Sequence, residues 1–240
     1  MTNIERLQKI ISGGKRIVFF GGAGVSTESG IPDFRSVDGL YNQQYKYPPE
    51  TILSSSFFYA QPEEFFRFYR NKMLFPDAQP NAAHRKLYEL EQADKLRGIV
   101  TQNIDGLHKK AGNIRVYELH GTVYENTCLE CGKKYSLDYM LSTTGIPRCS
   151  CGGVIKPDVV LYEESLDNNT IIGACREISN ADVLIIAGTS LAVYPAASFI
   201  DYFGGKELVV INRDATGADS KASLVIHEKV GEVLGQIKVN

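Results

Sequence analysis

Apolar residues follow two different spacings along this chain. In some stretches they recur every three or four residues, as Ala83, Leu87 and Leu90 do, which is typical of a helix with one buried face. Elsewhere they form short continuous runs, which predict fully buried strands. The predicted helices are 1–14, 49–59, 62–73, 81–92, 167–180 and 228–237, and the predicted strands are 16–20, 99–101, 116–119, 182–187, 206–211 and 224–226. This alternation predicts an α/β fold built on a parallel sheet.

Composition and charge narrow the class of protein. Of the 240 residues, 43% are hydrophobic and 22% are charged, which is enough apolar material for a substantial core. The formal net charge of −2 provides no overall basic field for nucleic acid. No apolar run reaches the roughly 18 residues of a membrane span, and the first residues predict an amphipathic helix instead of a secretory signal. We therefore expect a globular protein of the cytoplasm.

A glycine-rich turn follows the first predicted strand. Gly22 and Gly24 leave room for a phosphate or a ribose to approach the backbone, and Ser26 and Thr27 can cap a following helix whose N–H groups would face an anion. The turn predicts a pyrophosphate cradle, and a ligand-free turn from strand to helix stays open as the alternative. It departs from the dehydrogenase fingerprint G-x-G-x-x-G, because the third glycine would fall at Thr27.

The residues after this turn carry unusual chemistry on a loop. Pro32 restricts its neighbours to extended backbone, so Asp33, Phe34 and Arg35 are presented outside a helix. A carboxylate, an aromatic ring and a guanidinium side by side can bind a flat, amide-bearing ring and a phosphate. The whole stretch 22–36, G-A-G-V-S-T-E-S-G-I-P-D-F-R-S, resembles the signature of the sirtuins, which are NAD-dependent protein lysine deacylases.

Two further polar clusters follow predicted strands. In T-Q-N-I-D (101–105), Asn103 and Asp105 can hydrogen-bond a ribose or a carboxamide and Gln102 can orient a partner, with simple turn formation as the alternative. In E-L-H-G, His120 can accept a proton near neutral pH, although a lone histidine is more often structural. Both stretches are similar to sirtuin motifs. The resemblance implies catalytic roles for His120 and Asn103.

Four of the five cysteines form a C-x-x-C and a C-x-C pair, Cys128/Cys131 and Cys149/Cys151. This grouping favours a four-thiolate zinc ribbon over disulfides, and four thiolates leave zinc no open position, so the site would be structural. A nucleic-acid-binding zinc module is the competing interpretation. The charged residues between 123 and 157 nearly cancel, which removes the main source of affinity for phosphate.

The resemblance assigns further residues to the peptide and to NAD. It implies that an extended segment after the cysteines pairs with the substrate peptide as an added strand. The implied peptide-binding residues are Val159, Val160, Leu161, Tyr162 and Val193. The implied NAD-binding residues are Gly22, Ala23, Gly24, Ser26, Thr27, Asp33, Phe34, Arg35, Gln102, Asn103, Ile104, Asp105, Gly188, Thr189, Ser190, Asn212 and Arg213. Many relatives have F-G-E where this chain has Tyr162-Glu163-Glu164, so the peptide preference near Glu163 is open.

We expect a doubly wound, parallel, Rossmann-like sheet with a small zinc-ribbon module and a helical insertion. The predicted NAD-binding domain comprises 1–36, 81–122 and 158–240, with a cofactor loop and helical module at 37–80 and the zinc module at 123–157. The resemblance implies that NAD is consumed as a co-substrate. It implies further that the acyl-lysine oxygen attacks the ribose C1′ as nicotinamide leaves, and that His120 then deprotonates a ribose hydroxyl. That hydroxyl attacks the acyl carbon, and water finally releases lysine and O-acyl-ADP-ribose.

Other functions remain compatible with the sequence. A nicotinamide dehydrogenase would need a third glycine at Thr27 and an acidic residue on the second strand, neither of which is found. A zinc-dependent binding module with a vestigial pocket, a protein mono-ADP-ribosyltransferase and a deacylase that prefers long acyl chains are the remaining alternatives. The expected partner is an acylated lysine in a protein substrate. We expect a monomer that binds neither nucleic acid nor membrane directly.

Overall fold

The computed structural model describes residues 1–34, 39–40 and 45–239, and it forms strands and helices in alternation. The predicted residue Arg35 and most of the predicted cofactor loop lie outside these ranges. The described strands are β1 (Ile17–Gly21), β2 (Leu96–Thr101), β3 (Val116–Glu118), β4 (Gly121–Cys128), β5 (Lys134–Ser136), β6 (Ile155–Val159), β7 (Val183–Ala187), β8 (Glu207–Ile211) and β9 (Leu224–Ile226).

Helices of very different length connect these strands. The α-helices are α1 (Asn3–Gly13), α2 (Pro49–Ile52), α3 (Ser55–Ala60), α4 (Pro62–Lys72), α5 (Ala82–Gln92), α6 (Leu107–Lys110), α7 (Leu137–Ser142), α8 (Asn168–Ser179) and α9 (Val230–Gly235). Short 3₁₀ turns lie at Ala23–Val25, Thr27–Ser29, Ala196–Tyr202 and Asp219–Lys221. The predicted helix 49–59 is wrong as a single element, because the Ser54 side chain accepts the Phe57 N–H and starts a second helix there.

The main sheet has six strands in the spatial order β3-β2-β1-β7-β8-β9. Every pairing in it is parallel. The strand order reverses between β1 and β7, which is the switch point of a doubly wound fold and the place where ligands bind outside the carboxyl ends of the strands. The predicted fold class is confirmed.

Alternate side chains of the central strands enter two separate cores. Every residue of β1 and β7 is buried, as their continuous apolar runs predict. Phe19 and Ile185 pack on one face of the sheet with α1, α5 and α9, whereas Phe20 and Ile186 pack on the other face with α8. Helices on both faces explain why these strands show no polar alternation.

Two smaller units stand beside the main sheet. Antiparallel strands β5, β4 and β6 form a three-stranded sheet. Cys128 ends β4, Cys131 lies in the turn between β4 and β5, and Cys149 and Cys151 lie before β6. Aromatic residues of α3 and α4, including Phe58 and Phe65, share one apolar cluster with Met140 and Ile155 of this sheet unit. The helical unit and the cysteine unit therefore pack on each other, and β6 runs across the predicted boundary at 157/158.

Candidate active site

A cleft of about 600 Å³ opens at the carboxyl ends of β1, β2 and β7. This volume lies within the range of natural small-molecule sites. All predicted catalytic, NAD-binding and peptide-binding residues within the described ranges line it, namely Gly22, Ala23, Gly24, Ser26, Thr27, Asp33, Phe34, Gln102, Asn103, Ile104, Asp105, His120, Val159, Val160, Leu161, Tyr162, Gly188, Thr189, Ser190, Val193, Asn212 and Arg213. Residues far apart in the chain thus meet at the topological switch point.

The glycines after β1 lie against the turn that follows β7. A Cβ on Gly22 would lie 2.8 Å from the Thr189 Cβ, and a Cβ on Gly24 would lie 2.8 Å from the Gly188 Cα. The Gly24 N–H donates to the Gly188 carbonyl over 2.8 Å. Gly188 itself has a φ of +59°, which favours glycine. Contact between two turns is therefore a second reason for these glycines, besides the expected approach of a phosphate.

The predicted helix after the cradle is wrong. Two 3₁₀ turns, Ala23–Val25 and Thr27–Ser29, follow β1, and Ser26 between them makes no capping hydrogen bond with its side chain. The Ser26 hydroxyl instead donates to Asp105 Oδ2 over 2.6 Å, and the Thr27 hydroxyl donates to the Gly24 carbonyl over 3.0 Å. The cradle is therefore stabilised by a side-chain hydrogen bond within itself and by one to Asp105, which follows β2.

Asp105 is the centre of a buried polar group at the end of β2. Its second oxygen, Oδ1, accepts the Leu107 N–H over 2.9 Å, and the Asn103 side-chain amide donates to the Ser26 hydroxyl over 3.0 Å. Burial raises the pKa of the Asp105 carboxyl despite these hydrogen bonds. Gln102 donates to the Thr189 hydroxyl over 3.1 Å and so connects the ends of β2 and β7.

His120 lies between β3 and β4, with its ring against the end of β2. Its Nδ1 is 2.9 Å from the Gln102 carbonyl oxygen. Because a carbonyl only accepts, Nδ1 must carry the hydrogen, which leaves Nε2 with the free lone pair. Burial lowers the pKa of His120, so the ring is neutral at pH 7. A neutral imidazole with a fixed tautomer is suited to accept a proton.

The backbone beside His120 leads directly to the predicted peptide segment. The Val160 N–H donates to the His120 carbonyl over 2.9 Å. Tyr162 exchanges backbone hydrogen bonds with Leu53 and Ser55, both of 3.0 Å. Glu163 has a φ of +76°, a conformation that favours glycine, and its carboxylate accepts the N–H of Ser56 over 2.8 Å and its hydroxyl over 3.0 Å. The positive φ explains why many relatives have glycine at this position, and the two hydrogen bonds to Ser56 stabilise the glutamate of this chain in the same conformation.

The four clustered cysteines have the arrangement of a tetrahedral metal site. All four sulfur atoms lie within 4.8 Å of one another, and the Cys128–Cys151 and Cys131–Cys149 sulfur distances are both 3.5 Å. Tetrahedral zinc with bonds of about 2.3 Å would set its sulfurs about 3.8 Å apart, so the residues fit this ion. The pKa of Cys149 falls to about 5, because the Cys151 backbone N–H and the Tyr135 hydroxyl donate to its sulfur.

Comparison with known proteins identifies the family. The family model described as SIR2, Sir2 family, matches residues 22–195. The chain belongs to the Sir2 family. A protein named NAD-dependent protein deacetylase from Clostridium perfringens is 56% identical over 98% of both chains. One of the same name from Clostridium acetobutylicum is 55% identical over 98% of this chain and 97% of its own. A solved structure of Sir2 with a p53 peptide and NAD+ has a TM-score of 0.85, 37% identity, and coverage of 98% of this chain and 96% of that chain.

Residues outside the sequence motifs also line the cleft of this Sir2 chain. From the helical and cysteine units come Leu53, Tyr69, Lys72, Met73, Phe75, Val123, Tyr124 and Leu137, and from the residues before and in α9 come Glu228, Lys229 and Val230. The last group follows β9, so the rule that ligands lie at carboxyl ends of parallel strands could have found it. In the sequence, the aromatic-rich helix 62–73 favours a packed core, with the lining of an acyl channel as the alternative. Tyr69 of this helix belongs to the apolar cluster and also lines the cleft.

Proposed function

We propose that this chain is an NAD-dependent protein-lysine deacetylase that converts an acyl-lysine, NAD and water into lysine, nicotinamide and O-acyl-ADP-ribose. The observation that carries the proposal is the meeting of a glycine cradle, the buried Asp105 group and a neutral His120 in one cleft. The deacetylase names of relatives at 55% and 56% identity support it. When bound, NAD supplies an electrophilic ribose carbon that accepts the acyl oxygen.

His120 is the proposed general base. The Gln102 carbonyl fixes hydrogen on Nδ1, so Nε2 is the atom that takes a proton from a ribose hydroxyl. Because burial disfavours the imidazolium, the ring is unprotonated at the start of each turnover. Cationic His120 is then unstable inside the cleft, which favours release of the proton once lysine leaves.

Asn103, Asp105 and Asp33 are the proposed positioning groups for the nicotinamide riboside. Asp105 is ordered by Ser26 and by the Leu107 N–H, and Asn103 by its bond to Ser26, so neither has to reorganise when a ligand arrives. Phe34 is the proposed shield of the reacting carbon from water. Ala23, Arg35 and Ser190 are proposed to hold the phosphates and adenosine, although Arg35 lies outside the described residues.

The peptide and the metal have separate proposed sites. Val159 to Tyr162 and Val193 are proposed to hold the substrate backbone, and Cys128, Cys131, Cys149 and Cys151 to hold a structural zinc. The helical unit is proposed as module 37–80 and the cysteine unit as module 123–157, with β4 and β6 extending two residues beyond the two ends of the second module. Within the described ranges, no helix is both long and apolar enough to cross a membrane. We propose a cytoplasmic monomer that acts on acylated proteins and does not bind nucleic acid directly.

One observation favours acyl groups longer than acetyl as additional substrates. Leu53, Met73 and Phe75 of the helical unit line the same cleft as His120. Apolar walls beyond the reacting centre gain free energy from burying additional methylene groups, at about 0.8 kcal/mol for each one. We propose that propionyl and butyryl groups are removed as well as acetyl.

The decisive experiment is a panel of acetyl-, butyryl- and myristoyl-lysine peptides incubated with NAD. We expect nicotinamide, free lysine peptide and O-acyl-ADP-ribose in equal amounts by mass spectrometry. ADP-ribose left on protein would favour transferase activity, and reduced NAD would favour a dehydrogenase. Absence of nicotinamide with every peptide would reject the proposed function.

A further inference from the structure

Asn81, which precedes α5, makes hydrogen bonds in two directions. Its side chain is buried, with 8% of the residue exposed. Oδ1 accepts the Ala83 N–H over 2.9 Å and so caps the helix. The amide nitrogen Nδ2 points elsewhere, donating to the Val25 carbonyl over 2.8 Å and to the Ser29 hydroxyl over 3.0 Å. Capping needs only the oxygen, so the two donated bonds call for another explanation.

The two acceptors close the two turns of the cradle. Val25 ends the first 3₁₀ turn and Ser29 ends the second. Ser26, whose hydroxyl holds Asp105, lies between them. One amide group therefore fixes the spacing of both turns on either side of Ser26.

The second turn is also held from its other side. Glu28 accepts the Gly231 N–H of α9 over 2.6 Å. Hydrogen bonds therefore connect this turn to the start of α5 and to α9, and these two helices pack on each other. Loss of the Asn81 donors would leave this turn attached at one side only, so we expect it to shift without unfolding.

We infer that Asn81 is a positioning residue for NAD, acting through Val25 and Ser29 on the geometry of the cradle. This inference rests on the proposed function, because it takes the cradle to be the NAD site. Small displacements of binding groups weaken ligand affinity and reaction geometry strongly. Loss of the donors would also leave the buried Val25 carbonyl and the part-buried Ser29 hydroxyl without this partner.

The test is Asn81→Asp, which keeps the capping oxygen and removes the donors. Calorimetry with ADP-ribose as the probe measures the cradle without turnover. We expect affinity to fall about tenfold, which corresponds to one net hydrogen bond. The KM for NAD should rise by a similar factor, while the KM for acetyl peptide at saturating NAD stays within about twofold.

The matched control is Asp167→Ala, which removes the cap of α8, where Asp167 accepts the Thr170 N–H over 2.7 Å. It should lower the melting temperature and leave ADP-ribose affinity unchanged. If Asn81→Asp does not fold, Ser29→Ala decides, because it deletes one acceptor and keeps the cap; affinity should fall about threefold. Wild-type affinity in a folded Asn81→Asp, or in Ser29→Ala if that variant decides, would overturn the inference. A wild-type enzyme that binds ADP-ribose without releasing nicotinamide would reject the proposed function instead.

Discussion

The strands below the cleft and the strands around the four cysteines differ in what holds them together. Each residue of β1 and β7 is buried between two layers of helices. In the cysteine unit, β5 has two exposed residues of three, and Cys131 and Cys151 are themselves exposed. A unit this small has too little core to be stable alone, whereas the main sheet has an extensive core.

We therefore expect the main sheet to be sensitive to added side-chain atoms and the cysteine unit to be sensitive to the loss of a metal ligand. At the cleft, Gly24 and Gly188 are in contact, so an added methyl group has no space. In the cysteine unit, the loss of one ligand removes the metal that replaces a core.

Cys149→Ser is expected to have the largest effect. Metal binding in small zinc domains is also folding free energy, on the order of 10 kcal/mol, so losing a ligand should unfold the unit and abolish deacetylation. Zinc content by atomic emission and nicotinamide release should fall together. Cys175→Ser, outside the cluster and on α8, should keep both. Full turnover by a metal-free Cys149→Ser protein would contradict the contrast.

His120→Ala should lower deacetylation about 10²–10⁴-fold, which is the usual contribution of a general base. The cleft itself should persist, because the alanine leaves the Asp105 group and the cradle in place. Since the base is proposed to act after nicotinamide leaves, exchange of labelled nicotinamide into NAD should survive. Parallel loss of exchange and deacetylation in a folded variant that binds NAD would place His120 in the first step.

The strands of the main sheet and most of the helices that pack on it could be predicted from the sequence. The reason is that a buried apolar run or a helical apolar stripe is visible within one short stretch of the chain. The cradle was harder to predict. Ser26 has the residue type of a helix cap, yet it bonds to Asp105, which is 79 positions away. Neither segment alone shows whether the Ser26 hydroxyl bonds to a nearby helix N-terminus or to a distant carboxylate.

The same reason explains why the roles of Asn81 and Tyr69 could not be decided from the sequence. Asn81 is a good cap by type, and only its distance to Val25 reveals the second set of bonds. Tyr69 belongs to an aromatic helix typical of a core, but its fully buried hydroxyl has no hydrogen-bond partner among the described residues and it lines the cleft. By contrast, the motif residues that follow strands were correctly predicted to share one cleft. The reason is that the carboxyl ends of parallel strands lie at the same edge of the sheet.

Acid should weaken the main domain through a buried histidine pair. His84 and His108 have ring centroids 4.7 Å apart, and burial lowers the pKa of His84 to about 4 and that of His108 well below its usual range. The unfolded chain then binds more protons below pH 6.5, so stability is complete above that pH and falls towards pH 4. For His84 alone the loss between pH 7 and pH 5 is roughly 2 kcal/mol.

Urea unfolding at pH 7 and pH 5, with zinc content checked at both, measures this effect. His84→Gln should be less stable at pH 7 and less sensitive to acid, because one titrating imidazole is gone. An unchanged pH slope in a folded His84→Gln protein would show that His84 does not carry the acid sensitivity.

The smallest expected effect lies at Glu163, on the segment that joins the cysteine unit to the main domain. Left-handed backbone costs a non-glycine residue about 1–2 kcal/mol, while the carboxylate contacts to Ser56 are at an exposed site and offset only part of this cost. Glu163→Ala loses the contacts and keeps the strain, whereas Glu163→Gly loses both. The glycine variant should therefore be more stable than the alanine variant by about 1 kcal/mol, as measured by urea unfolding. Equal stability of the two variants would show that alanine at this position carries no backbone strain, and would contradict the prediction.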